Sequence, residues 1–301
     1  MSRDQSIRIL KGDSFQEIKQ LRKSSVDLVV TSPPYNIGKE YETRLNLDEY
    51  LNAYREMAKD LHRVLKPDGN IAWQVGNYSE NGALYPLDIF FYQVFTEAGF
   101  VLRNRIIWHF RHGMHAKYRL SGRYETIMWF AKDTRSVFNL DAIRIPNLYP
   151  GKRATKGPRK GQPSGNPLGK NPGDFWPDIA FEEWELGIFD IPNVKAHHPE
   201  RTASHPCQFP VELVDRCILA LSPKNGLVLD PFLGVGTSAI SAMRHGRRFV
   251  GIERDDSYIS AAKKRMAEWR AGTLRVREPG TPIATPKGKI SQPPEEWSED
   301  Q

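Results

Sequence analysis

One stretch of twelve residues decides the fold: LVLDPFLGVGTS, residues 227–238. An apolar strand pattern leads into two glycines, and a helical pattern follows over residues 238–245. Glycines at such a turn let a ligand approach the backbone closely. A second predicted strand, Arg248–Glu253, ends in a carboxylate. That carboxylate could accept hydrogen bonds from both hydroxyls of an adenosine ribose. The stretch therefore predicts an α/β fold with an adenosine pocket at the carboxyl ends of its strands.

The same glycine turn is compatible with two other interpretations. Residues 234–239 also fit the dinucleotide fingerprint Gly-x-Gly-x-x-Ala, which would indicate a nicotinamide enzyme. The Asp230-Pro231-Phe232 lead-in is foreign to that fingerprint, and little chain follows Glu253 to complete a second nucleotide-binding half. A tight turn without any ligand is the simpler alternative, and the placement of Glu253 one strand later argues against it.

A second motif, Ser32-Pro33-Pro34-Tyr35, directly follows a buried strand pattern at residues 26–30. An exocyclic amine on a nucleobase is a poor nucleophile because its lone pair is delocalised into the ring. The Ser32 hydroxyl and the Pro33 carbonyl could accept hydrogen bonds from the two amino hydrogens. These bonds would favour a pyramidal nitrogen whose lone pair is available for reaction. The prolines fix the backbone, and Tyr35 could stack on a base flipped out of a duplex. A proline turn with a packed tyrosine is the alternative.

Periodicity places the remaining elements around these two motifs. Apolar residues recur at helical spacing in four further segments, and short apolar runs predict three further strands. The predicted helices are 47–65, 85–98, 211–221 and 257–270, and the predicted strands are 70–75, 101–108 and 126–131. A turn at residues 66–69 should separate the first of these helices from the strand at 70–75.

Composition restricts the class of protein. Lys and Arg total 43 against 36 Asp and Glu, a net charge of +7, which suits a polyanionic partner. The two cysteines, Cys207 and Cys217, are too few for a disulfide framework or a four-thiolate zinc site, so we expect no metal and a reducing, cytoplasmic location. Apolar runs of membrane-spanning length are absent from the sequence.

Residues 151–170 form a strongly basic segment. It has six Lys or Arg, no acidic residue and many Gly and Pro. We expect a basic loop that contacts DNA phosphates, with a solvated linker as the alternative. The predicted contacts are Lys152, Arg153, Lys156, Arg159 and Lys160. From residue 271 the chain has almost no core formers and is expected to be a flexible tail.

Taken in order, these motifs resemble the beta group of amino-directed DNA methyltransferases, in which the catalytic half precedes the cofactor half. The resemblance covers roughly residues 7–135 and 200–265. The matching motifs are Gly12-Asp13, Ser32-Pro33-Pro34-Tyr35, residues 65–69, 105–108 and 124–130, His205-Pro206, Phe209-Pro210 and the turn at 232–236.

The resemblance implies a three-layer, Rossmann-like fold with a mostly parallel sheet, a permuted motif order and S-adenosylmethionine as cofactor. It implies a catalytic half at 1–135, a target-recognition insertion at 136–200, a cofactor half at 201–270 and a tail at 271–301. Ser32 to Tyr35 would hold the target base of double-stranded DNA. The residues expected to bind the cofactor are Asp13, Asp230, Phe232, Gly234, Gly236, Thr237 and Glu253.

Serine at position 32 favours cytosine N4 as the target, since family members with Ser-Pro-Pro-Tyr are mostly similar to cytosine-N4 enzymes. Members with aspartate there are mostly similar to adenine-N6 enzymes, so adenine N6 stays an alternative. A non-catalytic DNA-binding protein on the same scaffold, or methylation of RNA or protein, are others. A cognate restriction endonuclease is a family-level expectation, and the sequence leaves the oligomeric state open.

The tripeptide Pro206-Cys207-Gln208 resembles the nucleophile site of cytosine-C5 methyltransferases, a different reaction class. That chemistry would require a Glu-Asn-Val partner, which the sequence lacks, and a cofactor turn that precedes the cysteine. Here the turn follows it. We therefore expect Cys207 to be a small packed residue beside the cofactor.

Overall fold

The structure is a computed structural model, and it describes residues 7–36, 45–110, 115–147, 149–176, 191, 193–194, 198–202 and 208–278. Ten strands lie within these residues. They are β1 Ile7–Lys11, β2 Val26–Thr31, β3 Leu65–Val75, β4 Asn77–Glu80, β5 Ala83–Pro86, β6 Val101–His109, β7 Tyr124–Ala131, β8 Phe175–Trp176, β9 Leu227–Asp230 and β10 Arg248–Glu253. Eight of them form one sheet in the order β1-β10-β9-β2-β3-β7-β6-β8.

Helices cover both faces of this sheet. They are α1 Ser14–Glu17, α2 Leu47–Val64, α3 Leu87–Glu97, α4 Val211–Leu221, α5 Thr237–Arg244 and α6 Asp256–Arg270. Buried side chains of α2 and α3 pack in one core cluster, and those of α4, α5 and α6 pack in a second. The predicted three-layer α/β fold is thus confirmed. None of the described helices is long and apolar enough to cross a membrane.

The strand order makes β2, from the N-terminal part of the chain, and β9, from the C-terminal part, neighbours at the centre of the sheet. Strands β1, β10, β9, β2 and β3 pair in parallel, and β7 runs antiparallel to β3 and β6. Leu28 of β2 pairs with Val228 of β9, and Val29 pairs with Leu229. The carboxyl ends of β2 and β9 therefore lie side by side, although the residues that follow them are far apart in sequence.

Two parts of the fold differ from the sequence-based expectation. The turn predicted at residues 66–69 is part of β3, because α2 ends at Val64 and the Lys66 ammonium pairs with Asp27 of β2 at 2.7 Å. The hairpin formed by β4 and β5 was not predicted. Its loop is Asn81-Gly82, both at positive φ (49° and 81°), which is the sequence signal for a two-residue hairpin turn.

The segment expected to be an insertion contributes to the core of the molecule. Ile143, Ile145, Trp176 and Ile191 are all at most 8% exposed and belong to the core cluster on the α4 side of the sheet. β8 also extends the sheet, since it pairs with the end of β6. The described residues of this segment are therefore packed against the main sheet through their apolar side chains.

The packed chain also extends beyond residue 271, where a tail was expected to begin. Leu274 and Val276 pack against the core, and Arg277 is only 6% exposed. The Arg277 guanidinium pairs with Glu212 at 2.9 Å, and its backbone N–H donates to Glu200 at 3.0 Å. Two buried carboxylates thus fix this end of the chain, a feature that composition alone does not reveal. The rest of the expected tail, 279–301, lies outside the described residues.

Candidate cofactor and base site

Asp230, the last residue of β9, ties the glycine turn to the neighbouring strand. Its side chain is fully buried, and Oδ1 accepts hydrogen bonds from the Phe232 N–H (3.0 Å) and from the Thr31 hydroxyl (2.6 Å). Oδ2 accepts from the Ser238 hydroxyl at 2.5 Å. Burial raises the pKa of Asp230 to about 6, although its hydrogen bonds act in the opposite direction. One carboxyl group therefore connects the end of β2, the turn and the start of α5.

The turn itself requires its glycines. Gly234 has φ 52° and Gly236 has φ 82°, in the left-handed region that side chains disfavour. A Cβ at position 236 would lie 2.9 Å from the Cβ of Ala262. The Gly234 N–H donates to Glu253 Oε2 at 2.9 Å, so the carboxylate at the end of β10 faces the turn.

Glu253 is held from the other side as well. Its Oε1 accepts from the backbone N–H groups of Arg254 and Asp255, both at 2.9 Å. A carboxylate has about four lone-pair positions. The three hydrogen bonds from backbone N–H groups therefore fix the orientation of Glu253 without using its full capacity as an acceptor. Glu253 can therefore still accept a hydrogen bond from a hydroxyl group of a ligand bound at the turn.

The start of α1 lies beside the same turn. Asp13 caps α1 by accepting from the Phe15 N–H at 2.9 Å, and the Ser14 hydroxyl donates to the Pro231 carbonyl. The Phe232 ring stands edge-on to Phe15, with centroids 6.1 Å apart. Asp13 and Phe232, which are distant in sequence, are thus brought to one site.

Two residues expected to bind the cofactor make hydrogen bonds with other groups of the protein. The Thr237 side chain is 3% exposed, and its hydroxyl accepts from the Arg265 guanidinium at 3.2 Å. The same guanidinium nitrogen donates to the Val235 carbonyl at 2.8 Å. Asp230 is likewise buried, and its carboxylate accepts from three protein donors. A contact between either side chain and the cofactor stays a prediction, and the observed contacts indicate that both position the turn.

The Ser-Pro-Pro-Tyr motif leaves the sheet at the end of β2, next to the glycine turn. The Ser32 Oγ lies 3.1 Å from the Tyr35 hydroxyl, so one of these two groups donates to the other. Tyr50 of α2 donates to the Pro34 carbonyl at 2.7 Å, and Pro33 is buried. The motif is therefore held in a defined shape by the helix that packs on it.

Glu125, the second residue of β7, completes this arrangement. The Tyr35 hydroxyl donates to Glu125 Oε2 at 3.4 Å, and the Gln74 amide of β3 donates to the same oxygen. Gly76 makes room for the contact, since a Cβ there would lie 3.1 Å from both the Glu125 carboxylate and the Tyr35 ring. Sequence reasoning assigned Glu125 and Gln74 no role. The available signal was an acidic residue at the start of an otherwise apolar strand.

Comparison with known proteins agrees with this geometry. A family model described as DNA methylase matches residues 26–264, which is most of the chain. The chain belongs to the DNA methylase family. It is 45% identical over 256 residues to the type II methyltransferase M.BglII of Bacillus subtilis (85% of this chain, 67% of that one). It is 32% identical to the DNA adenine methyltransferase YhdJ of Escherichia coli (86% of this chain, 82% of that one).

Solved structures show the same fold. The cytosine-N4-specific PvuII DNA methyltransferase superposes with a TM-score of 0.65 at 21% identity, covering 86% of this chain and 85% of that one. Other chains that match this fold have been solved with S-adenosylmethionine bound. These structures show the fold of this DNA methylase, and neither they nor the sequence relatives distinguish its target base.

The basic segment of this DNA methylase has structure of its own. Backbone hydrogen bonds join Ala154 to Gln162 (2.9 Å) and Lys152 to Ser164 (2.9 Å), and Ile145 bridges to Lys170 at the base. The cations expected to contact phosphates all have exposed side chains, and they are Lys152, Arg153, Lys156, Arg159 and Lys160. The segment therefore presents its charge on a hairpin-like loop.

The cysteines provide no support for nucleophilic chemistry. Cys217 on α4 is 3% exposed, and burial raises the pKa of its thiol to about 12, which keeps it protonated. Cys207 lies outside the described residues, as do His205 and Pro206. The expected packing of Cys207 beside the cofactor stays a prediction.

Proposed function

We propose that this DNA methylase transfers a methyl group to the exocyclic N4 of cytosine in double-stranded DNA, after flipping the base out of the helix. The observation that carries the proposal is the link between its two motifs. Ser32 follows β2 and Phe232 follows β9, and these two strands are adjacent and parallel. The Thr31 hydroxyl donates a hydrogen bond to the Asp230 carboxyl at 2.6 Å. A methyl donor at the turn and a base at Ser32 would therefore meet at one edge of the sheet, the usual ligand edge of such folds.

The prediction of S-adenosylmethionine as cofactor is confirmed at the level of the family. The bound cofactor supplies a methyl group on a positively charged sulfur. The residues present fit it, because Gly234 and Gly236 keep the turn bare of side chains and Glu253 offers a fixed carboxylate for ribose hydroxyls. We propose that Phe232 packs against the adenine and that Asp13 lies near the same ligand. Asp230 and Thr237 would act through the turn that they position.

The hydrogen-bond chain from Ser32 to Glu125 has a defined direction. An ionised carboxylate only accepts hydrogen bonds, so the Tyr35 hydroxyl must donate to Glu125. The Tyr35 oxygen then accepts from the Ser32 hydroxyl, which leaves the lone pairs of Ser32 Oγ for an amino hydrogen of the base. The 3.4 Å contact between Tyr35 and Glu125 is long, as is common before a substrate closes a site.

This direction explains how the protein could assist transfer to a weak nucleophile. A hydrogen bond from the amino group to Ser32 favours the pyramidal nitrogen whose lone pair is available for the methyl group. After transfer the nitrogen carries an extra proton. That proton can pass to Ser32 Oγ while the Ser32 hydrogen moves to Tyr35 and the Tyr35 hydrogen moves to Glu125. Ser32 Oγ and the Tyr35 oxygen each gain one hydrogen and lose one, and Glu125 ends protonated.

Two observations bear on the choice of base. Ser32 supports cytosine N4, as does the fold likeness to the cytosine-specific PvuII enzyme. Adenine N6 is the second candidate, since YhdJ, named as an adenine methyltransferase, is 32% identical to this chain. Both bases present the same amino group next to a ring nitrogen, so the Ser32 to Glu125 chain serves either. We propose cytosine on the basis of Ser32.

We further propose that the segment at residues 136–200 recognises the DNA word, between a catalytic half at 1–135 and a cofactor half at 201–270. The exposed cations of the basic segment support contact between this part of the chain and DNA, because phosphate contacts are a large source of affinity. Recognition of the sequence would come from contacts of the same segment with the base edges. Since M.BglII is named as a type II methyltransferase, we propose a role beside a restriction endonuclease in the bacterial cytoplasm.

The class of substrate can be tested with one labelled donor. Purified protein is incubated with S-adenosylmethionine carrying a heavy methyl and, separately, with bacterial genomic DNA, total RNA or a protein extract. We expect label in DNA alone. Label in RNA or protein would replace the proposed substrate, and label in none of them would support a non-catalytic DNA-binding protein.

Glu125→Gln tests the direction of the hydrogen-bond chain. The new amide can donate to the Tyr35 oxygen, so that the Tyr35 hydroxyl would donate to Ser32. The Ser32 hydroxyl would then point its hydrogen at the amino group of the base and no longer accept from it. We expect kcat to fall by about tenfold, less than the roughly 100-fold typical for loss of a full acid–base group, with KM for DNA nearly unchanged. Glu56→Gln, at an exposed position on α2, is the matched control and should retain full kcat. A normal kcat for Glu125→Gln would remove the proposed role.

Replacing the five cations of the basic segment by alanine tests its contact with phosphates. Each lost contact should reduce the slope of log K against log salt by about 0.9. The control replaces Lys19, Arg22 and Lys23, exposed cations that precede the central strand β2, and should leave the slope unchanged. Binding to duplex DNA is measured by fluorescence anisotropy between low and moderate salt. An unchanged slope in the five-residue variant would show the segment to be a linker.

A further inference from the structure

The connection between β6 and β7 carries the two most exposed large apolar side chains among the described residues. Tyr118 is 90% exposed and Leu120 is 94% exposed, while the next, Tyr149, is 71% exposed. Isolated apolar residues are ordinary on protein surfaces. Two of them at one loop tip, each more exposed than any other in this part of the molecule, indicate a surface that is covered by a partner.

The tip, defined as residues 115–123, is closed by its own hydrogen bonds. The Ala116 N–H donates to the Ser121 hydroxyl at 3.1 Å, and at the base the Phe110 N–H donates to the Arg123 carbonyl at 2.8 Å. These bonds hold the ends of the tip together, so Tyr118 and Leu120 stand at its outer part. The exposed side chains are therefore presented on a structured turn.

The charge of the tip identifies the class of partner. It contains Lys117, Arg119 and Arg123 and no acidic residue, and the Lys117 ammonium lies 5.4 Å from the centre of the Tyr118 ring. Alternating cations and apolar side chains suit a DNA duplex, which offers phosphates on its outside and stacked bases within. A purely apolar partner would leave these cations without counter-charges.

The position of the tip relates it to the target base. Strand β7 starts immediately after the tip, and its second residue, Glu125, contacts the Tyr35 hydroxyl. Leu120 precedes Glu125 by five residues, so their Cα atoms are at most about 18 Å apart. The tip therefore lies at the same edge of the sheet as Ser32. A duplex whose base has swung into the site would pass beside it.

We propose that Tyr118 and Leu120 form a wedge that enters the duplex where the target base has left it, with Lys117 and Arg119 against the flanking phosphates. The inference rests on the proposed function and names how the protein holds the DNA open. An inserted apolar side chain replaces the stacking that the flipped base has lost. The wedge is distinct from the basic segment, which would contact the outside of the duplex.

The test compares two duplexes that contain the recognised word, which is first read by sequencing DNA methylated by the wild-type protein. In one duplex the target base is paired, and in the other it faces an abasic position. Tyr118→Ala/Leu120→Ala should lower kcat/KM at least about tenfold on the paired duplex. On the abasic duplex it should lower kcat/KM by less than about threefold, since an unpaired base leaves the stack more easily.

The matched control is Ile89→Ala/Tyr92→Ala, which removes an exposed aliphatic and an exposed tyrosine from α3 and should change neither value. Equal losses on both duplexes would indicate ordinary binding and overturn the wedge, as would no loss on either. Both results would leave the proposed function intact. A wild-type protein that methylates no DNA would instead refute the proposed function, and the wedge with it.

Discussion

A Gly234→Val protein should bind S-adenosylmethionine at least about 100-fold more weakly than the wild type, which corresponds to about 2.8 kcal/mol. Gly234 has φ 52°, where a β-branched residue is strained, and its N–H holds the Glu253 carboxylate at 2.9 Å. Valine would both displace that amide and place two methyl groups where the ligand must approach the backbone. Isothermal titration calorimetry gives the affinity directly.

Backbone strain alone must be separated from loss of the site. Gly246 has φ 65°, follows the far end of α5, and its Cβ position meets no atom within 4 Å. Gly246→Val therefore introduces similar strain away from the turn. We expect it to lower the free energy of unfolding by about 1–2 kcal/mol and to leave the affinity for the cofactor unchanged. Normal affinity in Gly234→Val would show that the turn does not hold the cofactor.

Tyr35→Ala should reduce kcat/KM on DNA by about 100-fold. Stacking of one base on an aromatic ring contributes about 1–3 kcal/mol, and the substitution also breaks the chain between Ser32 and Glu125. Both losses affect the flipped base, while the cofactor turn is untouched. Affinity for S-adenosylmethionine should therefore stay within about twofold of wild type, which calorimetry can check in parallel.

Tyr35→Phe is the control that separates these two contributions. It keeps the ring but removes the hydroxyl that links Ser32 to Glu125, so capture of the base should survive while kcat falls. Binding to a duplex with 2-aminopurine at the target position reports capture as a rise in fluorescence. A full fluorescence rise with Tyr35→Ala would contradict the stacking role assigned to Tyr35. Turnover of Tyr35→Ala at the wild-type rate would contradict it as well.

The sequence was sufficient to predict both motifs and their places at strand ends. The run at residues 227–238 is local, since a strand, a glycine turn and a helix succeed one another within twelve residues. Ser32 to Tyr35 are equally local, as the prolines must end the strand before them. Patterns of this kind depend only on residues that are neighbours in sequence, so they can be predicted from one sequence.

Contacts between distant segments could not be predicted in the same way. The bond from Thr31 to Asp230 joins residues 199 positions apart, and Glu125 reaches Tyr35 across 90 positions. Both depend on the order of strands in the sheet. Without that order, the hydrogen bond that the buried Asp230 carboxyl accepts from Thr31 could not be predicted. The role of Glu125 was missed for the same reason.

The tip between β6 and β7 illustrates a further limit. Tyr118 and Leu120 are residue types that are often buried in protein cores. Only their exposed fractions of 90% and 94% distinguish them from core residues. Exposure is a property of the folded molecule. The packing of residues 273–278 shows the opposite case, because a polar sequence is fixed there by the buried carboxylates Glu200 and Glu212.

Mass spectrometry of nucleosides is the most direct test of the central claim, which is methylation of cytosine N4 in DNA. DNA is incubated with the purified protein and S-adenosylmethionine carrying a heavy methyl, then digested to nucleosides. We predict heavy 4-methylcytosine as the labelled product. Heavy 6-methyladenine in its place would contradict the assignment from Ser32 while retaining the site and its hydrogen-bond chain, and DNA without label would contradict the account as a whole.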